Sequence, residues 1–210
     1  MASNFLNDYI LDGGVTMVAL IPLSIYTLGL IVQKNLDLRK SKMLSKKIID
    51  LAKTVNSKAT YEHFLETLKS EDSPLARILL GYIALGEMGL PMHPKEDLSP
   101  IDDEAEFLYQ SLAPISTSYI IAPLLGVLGT TVGIMETFKQ FAISGKRDMA
   151  ALVTAIDQSL ITTMWGLIIA VPAYFFYSVL QRRVFFYERK VLPKVTIDIL
   201  ENIKPYINTN

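Results

Sequence analysis

Hydrophobic positions along the chain fall into two regimes. In three windows, between Asp12 and Lys34, between Glu106 and Glu136 and between Asp157 and Arg182, no charged side chain interrupts the apolar residues. Each window can hold the roughly 20 helical residues that a bilayer core of about 30 Å requires. The pattern predicts transmembrane helices over 14–33, 113–137 and 154–180. Pro22, Pro123 and Pro172 lie inside them, and in lipid neighbouring helices can satisfy the carbonyl that a proline frees. Outside the windows, apolar residues recur every three or four positions with charges opposite: Leu44, Ile48, Leu51, Ala52 and Val55, then Tyr61, Phe64, Leu65 and Leu68. This spacing predicts amphipathic helices. Ser73-Pro74 marks a capped helix start, with the helix running to about Gly89. A breaker-rich stretch over 89–100 follows, and Ser99-Pro100 with Asp102, Asp103 and Glu104 marks the next start. No breaker then appears before Pro114, so one long helix is expected to continue into the second span, and the tail 181–204 to extend the third.

Composition agrees with a membrane protein. Half of the 210 residues are hydrophobic, a fifth are charged, and the mean hydropathy is +0.32. A net charge of −1 gives no global excess to attract nucleic acid. The absence of cysteine excludes disulfides, thiolate metal sites and a cysteine nucleophile. Asp8 and Asp12 make the start acidic rather than basic, unlike a cleaved signal peptide, so the first span is expected to remain. Lys and Arg concentrate in 34–112 and after 181, with only Lys139, Lys146 and Arg147 between spans two and three. The positive-inside rule then places the N-terminus outside and the C-terminus in the cytoplasm. The expected fold is an all-α integral membrane protein with three transmembrane helices and long cytoplasmic helical extensions. Its segments are a periplasmic N-terminus 1–13, a cytoplasmic helical domain 34–112, a short periplasmic loop 138–153 and a cytoplasmic C-terminal helix 181–210.

The second and third spans carry a face of small and hydroxyl residues. Gly126, Gly129, Thr130, Gly133 and Thr137 share one side of span two, and Ser159, Thr162, Thr163, Gly166, Ala170 and Ala173 one side of span three. Small residues let helices pack closely in lipid. Thr130 and Thr163 also lie at matching depth, each roughly 12 Å below the outer end of its span at about 1.5 Å per residue. With Thr162 and Thr131 they would form a polar belt able to solvate an ion in a low-dielectric surround. Threonine does not titrate at neutral pH, and no Asp, Glu, Lys or His lies in the middle of any span. A proton carrier would have to come from another chain. Asp157 sits at the outer end of span three, as an entry residue or a helix-start acid.

Two runs carry a family resemblance: APLLGVLGTTVGIMETF over Ala122 to Phe138, and IDQSLITTMWGLIIAVPA over Ile156 to Ala173. They resemble the span-two and span-three signatures of the ExbB/TolQ/MotA proton-channel and stator family, most of all its ExbB/TolQ branch. Gly13-Gly14 before span one also fits. Gln158 stands where some members have glutamate, with Asp157 one residue earlier, and Thr131 stands where an aliphatic residue is commoner. The resemblance implies a homo-oligomeric ring, a pentamer, around single-span partners of the ExbD/TolR type whose membrane aspartate carries the proton. A TonB- or TolA-type protein would convey work to the outer membrane. It further implies that Thr130 and Thr163 face that aspartate, with Thr162 and Thr131 beside them. Gly126, Gly129, Gly133 and Gly166 would allow close packing, and Pro123 and Pro172 would shape the helices. A bacterial inner-membrane location follows.

No cofactor or metal is expected. An intramembrane enzyme is disfavoured because His63 and His93 both lie in the cytoplasmic segment. A solute transporter finds no inverted repeat. A structural helical scaffold and an autonomous channel stay open as alternatives to the motor subunit, and the branch, the cargo and the choice of proton or sodium are open too.

Overall fold

The computed structural model describes residues 14–95, 97–144 and 149–207. The expected N-terminal segment 1–13 with Gly13, the tip of the loop with Lys146 and Arg147, and residues 208–210 lie outside the described residues. Among the described residues nine α-helices follow in chain order: α1 Gly14–Asp37, α2 Lys40–Met43, α3 Lys46–Thr54, α4 Lys58–Ser70, α5 Pro74–Glu87, α6 Ser99–Gln110, α7 Ala113–Ser144, α8 Met149–Phe186 and α9 Leu192–Ile207. A π-helical turn, Tyr187–Val191, joins α8 to α9. Three of the helical stretches are long and apolar enough to cross a membrane, and the protein is an all-α membrane protein.

The chain divides into two units, 1–32 with 113–178 and 33–112 with 179–210. The first holds most of α1, all of α7 and most of α8. Its core is small: Met17, Leu20, Ala122 and Ala170 are buried, with Leu23, Tyr119, Leu125, Trp165 and Ile169 packed on them. Tyr119 meets the rings of Tyr174 and Tyr177 at 5.3 and 5.5 Å. Large apolar side chains point outward along all three helices, among them Val18, Leu124 and Val171. That distribution suits a lipid solvent, in which outward apolar surface carries no penalty. Pro22, Pro123 and Pro172 each sit inside an unbroken helix.

The second unit has a conventional core, where Ile48, Phe64, Leu79, Tyr82, Ile101 and Ile203 are almost completely buried. Local chemistry sets its helix starts. Ser45 accepts from the Ile48 N–H at 3.5 Å, Ser57 and Thr60 form a reciprocal capping box, and Ser73 accepts from the Ala76 N–H at 3.3 Å with Pro74 next. Helix α5 ends in a Schellman motif: Leu90 N–H donates to Leu85 O and Gly89 N–H to Gly86 O. Gly89 takes the left-handed φ of 74° that this closure demands.

One expectation changes. The helix entering span two is not continuous, because Ser111 and Leu112 form a turn between α6 and α7. Leu112 is fully buried there, and Pro114 follows two residues on, with no N–H to continue the ladder and a ring that crowds the carbonyl of Gln110, the last residue of α6. Ser99 is the first residue of α6 and Pro100 the second, at the start that the sequence marks. Asp97 accepts the Ser99 N–H at 2.8 Å, and this backbone hydrogen bond holds its carboxyl below the usual carboxylate range. The tail does extend span three, by way of the π turn.

An Arg77 to Glu104 pair ties α5 to α6 through Nε–Oε2 at 2.7 Å and Nη2–Oε1 at 2.6 Å. Glu104 is only 6% exposed, whereas Asp72, which also bonds Arg77, is 92% exposed. The Glu104 hydrogen bond is the main influence raising the Arg77 guanidinium above its usual pKa. Replacing Glu104 with alanine leaves a half-buried guanidinium without its main partner. It should destabilise the detergent-solubilised chain by about 2–3 kcal/mol, while Asp72→Ala should cost less than about 1. Thermal melting of the two variants checks this, and equal losses would contradict it.

Candidate functional site

The site is built where α7 and α8 approach closely. A Cβ on Gly126 would stand 2.9 Å from Thr162 O and 3.0 Å from Thr163 Cα, and one on Gly166 would stand 2.6 Å from Ala122 O and 3.2 Å from Pro123 Cα. Both positions oppose backbone, which cannot step aside. A Cβ on Gly129 would stand 2.8 Å from Thr162 Oγ1 and against the Thr16 hydroxyl of α1, and one on Gly133 would meet the Ser159 hydroxyl. The glycines thus interdigitate with the opposing helix, and α1 adds a hydroxyl at the same place.

Close approach brings three threonine hydroxyls together. Thr130 Oγ1 contacts Thr163 Oγ1 directly and Thr162 Oγ1 at 3.5 Å. All three reach Gly126 O at 3.1 Å, Thr130 and Thr163 as partly buried groups and Thr162 only 2% exposed. Ser159 O accepts from Thr162 at 2.8 Å and from Thr130 at 3.2 Å. A threonine hydroxyl has one proton to donate. Three protons cannot make all of these contacts at once, so the network has alternative arrangements reached by hydroxyl rotation alone.

The predicted residues do not all join it. Thr131 is exposed and its hydroxyl donates back to Val127 O at 2.8 Å, because one residue along a helix turns the side chain by about 100°. The expected belt is therefore Thr130, Thr162 and Thr163, without Thr131. Thr137 likewise donates within its own helix, to Gly133 O. Asp157 is exposed on α8, two residues before the buried Ser159. Pro123 is half-buried, its Cα facing Gly166. Pro172 is exposed and lines an apolar cavity of about 310 Å³ between α1 and α8, with Trp165 and Thr27. Thr16 and the carbonyl of Ser159 are parts of the site that sequence reasoning did not single out. Thr16 is one of several hydroxyl residues in its span, with Ser24 and Thr27, and nothing in the sequence sets it apart from them.

Residues 98–191, which hold both α7 and α8, match the MotA/TolQ/ExbB proton channel family. The chain is 36% identical over 83 residues to a putative biopolymer transport protein ExbB-like 1 of Helicobacter pylori, covering 40% of this chain and 43% of that protein. It is 25% identical over 177 residues to putative biopolymer transport protein ExbB-like 3 of Synechocystis, covering 80% and 81%. To biopolymer transport protein ExbB of Pseudomonas putida it is 27% identical over 190 residues, covering 84% and 56%. The matched region thus spans less than half the length of the Helicobacter relative.

The glycine geometry ranks substitutions. Gly126→Ala and Gly166→Ala push a methyl into backbone and should each cost about 1–3 kcal/mol. Gly133→Ala meets a rotatable serine hydroxyl, and Gly29→Ala meets nothing within 4 Å, so both should lie within about 1 kcal/mol of the parent. Melting of the four variants in detergent tests the order, and a costly Gly29→Ala beside a neutral Gly126→Ala would refute it.

Proposed function

This chain belongs to the MotA/TolQ/ExbB proton channel family, and we propose that it is an ExbB/TolQ-like subunit of a bacterial inner-membrane motor driven by the proton-motive force. In this reading copies of the chain, five by family resemblance, form a ring around ExbD/TolR-like single-span partners. A TonB/TolA-like protein carries the work to the outer membrane, in TonB-dependent uptake or Tol-Pal-like envelope maintenance. The N-terminus is periplasmic, 34–112 and 181–210 are cytoplasmic, and 138–153 is a periplasmic loop, in keeping with the Lys and Arg distribution.

The observation that carries the reading is the Thr130–Thr163 hydroxyl contact with Thr162 beside it. It lies between spans that contain no Asp, Glu, Lys, Arg or His over 107–135 and 158–181. Such hydroxyls can solvate a proton-carrying carboxylate but cannot carry the proton. Because three protons are shared among more acceptors than they can satisfy, one hydroxyl can turn toward an incoming carboxylate while its neighbours keep Gly126 O and Ser159 O bonded. Gly126, Gly129, Gly133 and Gly166 hold the two helices at the spacing this needs, Pro123 and Pro172 shape them, and Asp157 is a candidate entry residue.

A second reading, a helical scaffold, is supported by the same hydroxyls, since each has an acceptor within the chain. Substitution separates the two. Thr130→Val and Thr163→Val remove one hydroxyl each and keep the branched shape. Interhelical hydrogen bonds in membranes average about 0.6 kcal/mol, so melting should move little. Proton flux through vesicles holding the chain and its partner should fall about tenfold or more. Unchanged flux would favour the scaffold, and rapid flux through the chain alone would refute the division of labour.

A further inference from the structure

Where α1 and α8 leave their apolar stretches, four cations meet in one cleft. Arg39 and Lys40 come from the chain just after α1, and Arg182 and Arg183 from α8, some 140 residues later in sequence, and all four are exposed. The cleft has a volume of about 570 Å³ and apolar walls from the buried Leu38 and the half-buried Val179. Phe186 and Tyr187 stand at its side, residue types that favour the membrane–water boundary. Arg183 donates to Asn35 Oδ1 at 2.5 Å, which ties the two strands of chain together there.

None of the four cations is in an ion pair with a carboxylate among the described residues. The acids nearest in sequence are already engaged: Asp37 pairs with Lys42 at 2.8 Å and Glu188 with Arg189 at 2.9 Å. Four like charges around one hollow repel one another unless an anion enters. A topology signal requires positive charge on this side of the membrane, but it does not require cations from two distant segments to converge on a cleft with apolar walls.

We propose that this cleft binds the headgroup of an anionic phospholipid, with its phosphodiester among Arg39, Lys40, Arg182 and Arg183 and the start of its acyl chains against Leu38 and Val179. Basic pockets between membrane helices suit such headgroups, and guanidinium groups can clasp phosphate oxygens through two hydrogen bonds. The apolar walls favour a lipid over a free phosphate, which has no use for them. The site rests on the chain's being a membrane protein and is independent of the motor reading, since it uses none of the threonine network.

The full chain, purified in a neutral detergent, is titrated with phosphatidylglycerol, phosphatidylcholine or inorganic phosphate, and bound lipid is read by native mass spectrometry. Retention should be selective for phosphatidylglycerol. Arg182→Gln and Arg183→Gln should each weaken it about fivefold, whereas Lys194→Gln, a cation of α9 outside the cleft, should leave it unchanged. Equal retention of phosphatidylcholine, competition by inorganic phosphate at the same concentration, or an equal loss in Lys194→Gln would each overturn the site. If an arginine variant fails to fold, the selectivity of the parent chain among the three ligands still decides. Proton flux is not part of the readout, so loss of this site and failure of the motor reading can be told apart.

Discussion

The backbones of α7 and α8 run close enough for a glycine Cα to touch the opposing chain, and the membrane unit depends on that approach. Gly126 and Gly166 each face main-chain atoms of the other helix. Their lack of side chains brings Gly126 O, which already accepts from Thr130 one turn along the same helix, within reach of Thr162 and Thr163 across the interface. In hydrocarbon no water competes for that carbonyl, and a hydroxyl left unpaired there is costly. Close packing therefore decides the interhelical half of the network: spreading the helices by the width of a methyl would part Thr130 and Gly126 O from Thr162 and Thr163, leaving Thr130 and Thr162 their own-helix acceptors and Thr163 without Gly126 O. Thr16 on α1, against Gly129, extends the same contact to the first span.

Two solvents act on one chain. The membrane unit buries few side chains completely, and the outward positions of α1, α7 and α8 carry Val18, Leu124, Met135 and Val171, each more than 60% exposed. A soluble domain would have to cover such surface; a helix in lipid does not. The second unit obeys the water rule, with Phe64, Ile48 and Tyr82 inside. Tyr82 also shows its cost, since a buried hydroxyl needs a partner and finds the Asp97 carbonyl at 2.7 Å, while burial raises its pKa above the ordinary tyrosine value. That bond ties α5 to the breaker-rich stretch, whose Asp97 in turn receives the first N–H of α6.

These two regimes explain what could be read in advance. Long charge-free windows declare the spans because bilayer thickness acts on length and charge alone, and Ser73-Pro74 declares a helix start because capping is local chemistry. The turn at Ser111 and Leu112 lies just before Pro114, whose ring excludes the carbonyl four residues back, so this break too is local chemistry, acting one helical turn before the proline itself. The Thr130–Thr163 meeting was legible from depth because two antiparallel helices of known rise have a fixed register once one end is matched. Thr131 was assigned to the belt from its depth as well, but depth ignores azimuth, and about 100° of rotation sends its hydroxyl to Val127 O. Thr16 was not legible at all, because the register of α1 against α7 is set by packing with no second signature to align it.

Glycine and threonine therefore do different work in the site. At Gly126 and Gly166 any side chain meets backbone, so geometry alone requires glycine. At Thr130 and Thr163 the space is that of a β-branched side chain of three heavy atoms, which valine fills as well, and a membrane hydrogen bond adds only about 0.6 kcal/mol on average. Packing explains the glycines completely and the hydroxyls hardly at all. What the hydroxyls add is a set of protons fewer than the acceptors around them, on groups that reorient by a single torsion. Such a set responds to a new charge without moving either helix. This is the property a site needs if its second half, on the proposed reading a carboxylate from another chain, arrives and leaves repeatedly.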